Sequence, residues 1–444
     1  MEGRKKAKSK IEEAEIHKLG KDEIDSFANT TQAIKIHGAM AYLKQNFEFR
    51  YNVIANEVEF KRREEKLFKY FDEFEFNSIQ IEMDLKGIHL ADNKYRQVLI
   101  SRFISEKYDP IKEYLFSLPQ WDKNTDHIKL FLEQIYLTNE KDREYVIRGF
   151  KKWFVAYVMS FIRDEADPYY VNQVALILIS KEQGKHKSTW LGSIVPQHLR
   201  LKYYYPSSFN AHLKDHEKYL ATKMLINLDE MAAFNKTDIE TMKSKITQPQ
   251  VVLRLPYGRA DIQMKRRASF CGSINDRQFL RDETGSRRWL VVEVDNIQYD
   301  ISFDVTGMYS QALAMYRDGF KYWFDGEDII GLEMRNAEYT QCTMEEEYLL
   351  QAYDSPVENT KEEEIEFLTT SQIATRIAKV NERMNVNNSV IRALGKALTK
   401  HKYKRKQKRQ NKDKIPVYCW KVKPLSTEYK SQDISNNGNN GLPF

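Results

Sequence analysis

Six consecutive apolar residues, Val174-Ala175-Leu176-Ile177-Leu178-Ile179, leave no polar face, the pattern of a strand covered on both sides. Three more apolar runs follow it: Met224-Leu225-Ile226-Asn227-Leu228, then Ala268-Ser269-Phe270-Cys271-Gly272-Ser273-Ile274, then Leu290-Val291-Val292-Glu293-Val294. These runs predict the strands of an α/β core over residues 171–300. Ahead of them, Val146, Phe150, Trp153, Phe154, Tyr157 and Phe161 recur at helical spacing between Arg143 and Phe161. A packed helix is expected there, within 131–170, with its aromatics in the core. From Ala33 to about His127, short strand-like runs (Phe49 to Phe60) alternate with amphipathic helices such as Tyr95 to Ser105. Asp109-Pro110 and Leu118-Pro119 punctuate this helix-rich N-terminal domain, 31–130.

Beyond the core, helices such as Met308 to Asp318 predict a helical extension over 301–345. Glu345-Glu346-Glu347 through Glu362-Glu363-Glu364, with Asp354-Ser355-Pro356 inside, reads as an acidic linker, 346–366. Thr370-Ser371 then caps a helix carrying Ile373, Ile377 and Val380, and Asn388-Ser389 a second with Val390, Leu394 and Leu398. A basic turn and the strand-like Ile415-Pro416-Val417-Tyr418-Cys419-Trp420 complete what reads as a winged-helix-like domain, 367–425. Residues 1–30 read as a charged tail, and 426–444, rich in Asn, Ser and Gly, as a disordered one.

Composition narrows the class. The chain is 41% hydrophobic and 30% charged, and only 17 Gly and 11 Pro in 444 residues favour a helix-rich protein of several units. No apolar stretch reaches the roughly 20 residues of a membrane span. Met1-Glu2-Gly3-Arg4-Lys5-Lys6 has no apolar core behind it, so a cytoplasmic protein is expected. Cys271, Cys342 and Cys419 are too scattered for zinc and too few for a disulfide framework. The net charge is only +6, yet Lys404, Arg405, Lys406, Lys408 and Arg409 crowd into one short run. Such a run would hold nucleic-acid phosphates in a salt-dependent way, unless it is simply a solvated loop.

The candidate chemistry begins where the first apolar run ends. Ser180-Lys181-Glu182-Gln183-Gly184-Lys185-His186 leads into Lys187-Ser188-Thr189, the form of a loop whose backbone N–H groups surround a phosphate. In such a loop Lys187 would reach the β and γ oxygens of ATP and Ser188 would hold Mg²⁺. The usual pattern has glycine where this chain has Lys181 and His186, although histidine visits the left-handed region more readily than most residues. Met224–Leu228 runs into Asp229-Glu230, a pair in which one carboxylate binds the water shell of Mg²⁺ and the other polarises attacking water. Asn275, at the tip of the next run, would orient that water. Arg287 and Arg288 would either make surface ion pairs or neutralise transition-state charge at a neighbour's γ-phosphate.

Taken in order, Gln183-Gly184 with Lys187-Ser188-Thr189, Leu228-Asp229-Glu230, Leu255-Pro256-Tyr257-Gly258-Arg259, Gly272-Ser273-Ile274-Asn275 and Thr284-Gly285-Ser286-Arg287-Arg288-Trp289 resemble the virulence-associated protein E family. That family is similar to the superfamily 3 replicative helicases of viruses and mobile elements, within the AAA+ ATPases. The resemblance is firmest over 171–295. It implies an α/β P-loop AAA+-like ATPase core, with Gln183, Gly184, Lys185, His186, Lys187, Ser188 and Thr189 around the nucleotide and Ser188 and Asp229 as ligands of Mg-ATP. It makes Lys187, Asp229, Glu230, Asn275 and one of Arg287 or Arg288 the hydrolytic set. The segment between the acidic pair and Asn275 resembles a β-hairpin that tracks DNA, with Arg259 near its tip. The expected function is therefore ATP-driven unwinding or translocation on single-stranded or forked DNA in replication of a mobile element or prophage. The expected partners are other copies of the chain in a ring, with six as the number the resemblance suggests, and a separately encoded primase. Two alternatives stand beside it: a nucleotide-gated DNA-binding initiator or defence protein without unwinding activity, and a nucleic-acid-binding module with a non-hydrolysing loop.

Overall fold

The computed structural model describes residues 31–162, 170–206, 209–211, 213–229, 236–253, 261–280, 286–299, 303–357, 360–381, 383–408 and 416–430. Glu230, Arg259 and Arg409, and the parts of the two tails at 1–30 and 431–444, lie outside them. The chain divides after Tyr339 into two units, Met1–Tyr339 and Thr340–Phe444. Both mix helices with sheets, an α/β architecture as expected.

The first unit opens with helix Thr31–Asn46 and the strands β1 (Phe47–Asn52), β2 (Glu57–Arg62), β3 (Lys69–Tyr70) and β4 (Ser105–Tyr108), ordered β3-β2-β1-β4. The run from Phe49 to Phe60 is thus an antiparallel hairpin with Phe49 opposite Phe60. The helix expected from Tyr95 to Ser105 is instead Asp92–Leu99. Ser105 opens β4, which pairs with β1, and its hydroxyl donates to the carbonyl of Leu99, the last residue of the helix. Helical spacing alone could not reveal that a distant strand takes those residues.

The central sheet comprises β5 (Ile135–Leu137), β6 (Ala175–Ile179), β7 (Tyr204–Tyr205), β8 (Leu225–Asp229), β11 (Ser269–Ile274) and β12 (Trp289–Ile297) in the order β5-β12-β6-β11-β8-β7. The strands β9 (Gln250–Leu253) and β10 (Ile262–Lys265) form a separate antiparallel hairpin. β12, β6, β11, β8 and β7 are parallel, and only β5 runs against them. Side-chain alternation splits the apolar run of β6 between two layers. Leu176 and Leu178 pack with the helix Arg143–Ile162, while Ala175, Ile177 and Ile179 pack with Leu220, Ile239 and Met242 from the other side. Burying each of these large side chains stabilises the sheet by roughly 1.5–3 kcal/mol. This two-sided covering is why β6 carries no polar position.

Helices Val305–Arg317 and Gly326–Asn336 close the first unit. In the second, the stretch read as an acidic linker holds defined structure: helix Met344–Ala352, β13 (Tyr353–Asp354) and β14 (Glu366–Leu368). Thr343 caps the helix, and Glu345, Glu346 and Glu347 fill its first turn, where negative charge meets the positive end of the helix dipole. Glu346 is buried and accepts from Lys400 and His401, each at 2.7 Å. Helices Thr370–Val380 and Asn388–Lys400 follow, capped by Thr369 and Asn387. β15 (Arg405–Lys408) then pairs with β16 (Val417–Pro424), which also pairs with β13 and β14.

Candidate functional site

Three parallel strands, β6, β11 and β8, end side by side, and the polar residues at their carboxyl ends meet. This is where open α/β sheets bind ligands, because loops diverge there and leave a crevice. Ser180 directly follows β6, and its backbone N–H donates to the Ile274 carbonyl of β11. Gly184 takes φ 78° and His186 φ 54°, so the turn bends through the left-handed region at both. Histidine therefore adopts the conformation for which glycine is usually needed. Its ring stacks on Tyr299 with centroids 3.7 Å apart, an anchor that glycine would lack. Lys181 is not among the positive-φ residues, so its side chain causes no backbone strain.

Helix Lys187–Ser193 starts at the end of this turn. Lys187 is only 7% exposed, and its Nζ donates to Ser180 Oγ at 2.5 Å and to Asn275 Oδ1 at 2.7 Å. Burial pulls this ammonium below the usual lysine range, and Asp229 pushes it back up. Ammonium has three N–H donors, and among the described residues two of them are used, both on neutral oxygens. A buried cation with no carboxylate in direct contact among the described residues suits an incoming anion.

A second chain of hydrogen bonds runs beside it. Ser188 Oγ lies 3.0 Å from Ser273 Oγ, and Ser273 donates to Asp229 Oδ1 at 2.7 Å. Ser273 sits opposite Asp229 in the β11–β8 register, which brings them together. The structure thus joins Lys187 to Asn275, and Ser188 to Asp229, four residues singled out from the sequence. Ser180, Ser273 and Tyr299 were missed. The available signal was position, because Ser180 ends its run and Ser273 lies two residues before Asn275, on the same face of the strand. Gln183 and Thr189 are exposed and Lys185 half-buried; Lys185 pairs with Glu182 at 2.9 Å.

Arg287 and Arg288 are elsewhere. They lie in a short turn, Ser286–Arg288, held by Asn336, whose amide donates to the carbonyls of Ser286 and Trp289 at 2.6 and 2.8 Å. Trp289 aligns with Ala175 and Glu293 with Ile179, so the arginines sit at the amino end of the sheet and Lys187 beyond its carboxyl end. About 13 Å of strand separates the two ends. Neither guanidinium has a hydrogen-bond or ion-pair partner among the described residues. Burial and the like charge of Arg287 push Arg288 below its usual range.

The hairpin β9–β10 holds the segment expected between the acidic pair and Asn275, with its tip outside the described residues. Its base is tied down by Arg266, which is 1% exposed. That guanidinium donates to the carbonyls of Gln248, Ala268, Asn172 and Ile246. In the second unit, Lys404, Arg405, Lys406 and Lys408 are all exposed.

Residues 115–341 match the model of the virulence-associated protein E-like domain, more than half of the chain. The chain belongs to the virulence-associated protein E family. The matched span contains every described residue of the strand-end cluster and the arginine pair. No curated protein matches. Among solved structures, the apo structure of the NrS-1 C terminal region (305-718) aligns at 14% identity and a TM-score of 0.42, covering 87% of this chain and 98% of that one. An A form of the same region aligns at 13% identity and a TM-score of 0.43, covering 88% and 99%. Among the described residues of this family member, no helix is long and apolar enough to cross a membrane.

Proposed function

We propose that this chain is an ATP-hydrolysing motor acting on DNA in replication of a mobile element or prophage, with a P-loop core of the AAA+ type and a C-terminal winged helix. The observation that carries the reading is the convergence of Lys187, Ser188, Asn275 and Asp229 at the carboxyl ends of neighbouring parallel strands. Lys187, released from Ser180 or Asn275, turns its N–H groups to the β and γ oxygens. The turn from Gln183 to His186 offers backbone donors to the same phosphates. Bound with the triphosphate, Mg²⁺ supplies charge neutralisation at those oxygens. Ser188 and Asp229, already linked through Ser273, are the side chains that would hold it. Asn275 orients water at the same corner, and Glu230 is the proposed base.

The arginine pair lies at the opposite end of the sheet from its own Lys187, so its service is to a neighbouring copy in a ring. Exposed Lys404, Arg405, Lys406 and Lys408 hold DNA phosphates, and a separately encoded primase is the proposed partner. One observation favours a second reading, a nucleotide-gated DNA binder that does not unwind. Ser180 and Asn275 hold two of the three Lys187 N–H groups, which leaves one for phosphate and favours nucleotide binding over fast turnover. Measuring ATP turnover with and without single-stranded DNA separates the cases. Turnover stimulated by DNA supports the motor; nucleotide binding without turnover supports the gated binder; neither binding nor turnover removes both.

A further inference from the structure

Helix Asn388–Lys400 has two faces of opposite character. Leu394, Ala397 and Leu398 are buried in the core of the second unit with Ile373, Ile377 and Trp420. On the far side, Asn388, Arg392, Lys396 and Thr399 are exposed, at spacings of four, four and three residues that place them in one row. Arg392 and Lys396 have no hydrogen-bond or ion-pair partner among the described residues. From the helix the chain passes through Lys402 and Lys404, both exposed, into β15, where all four residues are exposed. Residues 388–408 contain Arg392, Lys396, Lys400, Lys402, Lys404, Arg405, Lys406 and Lys408 and no Asp or Glu. Of these, Lys400 is drawn inward to Glu346.

This surface has the charge for a polyanion and the shape for a groove. A bare helix with its side chains is about 10–12 Å across, and the major groove of B-form DNA is about 12 Å wide. The deep, narrow major groove of an RNA duplex would not admit it. The residue types also differ along the surface. Asn and Arg match adenine and guanine edges through paired hydrogen bonds, whereas a lysine strand matches phosphates without reading sequence.

We propose that Asn388, Arg392 and Lys396 enter the major groove of duplex DNA and give this unit a sequence preference, while Lys404, Arg405, Lys406 and Lys408 hold the flanking phosphates. The proposal rests on the DNA-binding part of the function above and not on ATP hydrolysis. It assigns base reading to the helix and affinity to the hairpin.

The test is selection of bound duplexes from a random-sequence DNA pool with the full chain at fixed salt, followed by affinity measurements on selected and random duplexes. The wild-type chain enriches a motif. Arg392→Ala, an exposed change that leaves the packed face intact, lowers affinity for the selected duplex about 5- to 150-fold and barely alters affinity for random duplex, the range expected for one base-specific pair. Lys406→Ala weakens both duplexes alike and reduces the salt slope by about one. No enriched motif, equal losses on both duplexes in Arg392→Ala, or equal competition by an RNA duplex or poly-glutamate overturns the proposal. Measuring ATP turnover of the same wild-type chain, with and without DNA, separates the two readings. A motif in a wild-type chain with no ATP turnover leaves base reading standing and removes the motor, and DNA-stimulated turnover without a motif does the reverse.

Discussion

His186 shows what a single residue can substitute for. Its backbone occupies the left-handed region, and stacking on Tyr299 helps to hold it there. His186→Gly is expected to keep ATP turnover within about threefold, since glycine adopts this conformation without strain. His186→Val puts a β-branched residue where left-handed geometry costs about 1–2 kcal/mol, and turnover is expected to fall by about 5- to 30-fold. Comparable activity in the two variants would mean that the turn is not held in this shape for the reaction. Glu59 carries a different residue-scale expectation. Burial alone would raise its carboxyl, but hydrogen bonds from Tyr108, Lys202 and Asn52 hold it down to about 2 against an ordinary 4.5. Its contribution to stability is therefore complete above about pH 4.5 and is lost as pH falls from there through about 2, on the order of 2–3 kcal/mol. Thermal unfolding of wild type and Glu59→Gln at pH 5, 4 and 3 checks this, with a smaller fall expected in the variant. Lys187, Ser188, Asp229 and Asn275 were legible because each ends or follows an apolar run. Ser180 and Ser273 were not, because a serine at the end of such a run has no periodic signature and acquires its role only through register with another strand.

Among the elements, β6, β8, β11 and β12 were legible to within a residue or two at their starts, since continuous apolar runs have few other uses in a chain with so many charges. The short strands β3, β7, β13 and β14 were not, because two or three residues show no period and form only by pairing with another strand. The linker reading failed for a related reason: Glu346 is stabilised by Lys400 and His401, more than fifty positions away. The hairpin β9–β10 depends on Arg266, whose guanidinium joins its base to the segments before β6 and β11. Four carbonyls, three of them buried, lose their donor in Arg266→Ala. Destabilisation of roughly 3–5 kcal/mol is expected, the scale of breaking a buried charged network. Denaturant unfolding measures it as a lower midpoint at unchanged slope. A variant within 1 kcal/mol of wild type would show that the clamp contributes little.

At the scale of the whole molecule, the arginine pair and Lys187 lie at opposite ends of the same sheet, so one chain cannot bring them together without unfolding its centre. If the pair serves a neighbour, Arg287→Ala and Arg288→Ala spare ATP binding and cripple hydrolysis. Mixing either with Lys187→Ala then restores part of the activity, because some interfaces regain both groups. Absence of recovery in demonstrably mixed assemblies would rule out the shared site.

The central claim is that the strand-end corner around Lys187 hydrolyses ATP. Steady-state ATP turnover of Lys187→Ala beside the wild-type chain, with matched melting curves, tests it most directly. The account predicts a loss of at least about 100-fold, the scale of removing one preorganised charge from a transition state, with the fold intact. Unchanged turnover in a folded Lys187→Ala protein would contradict it.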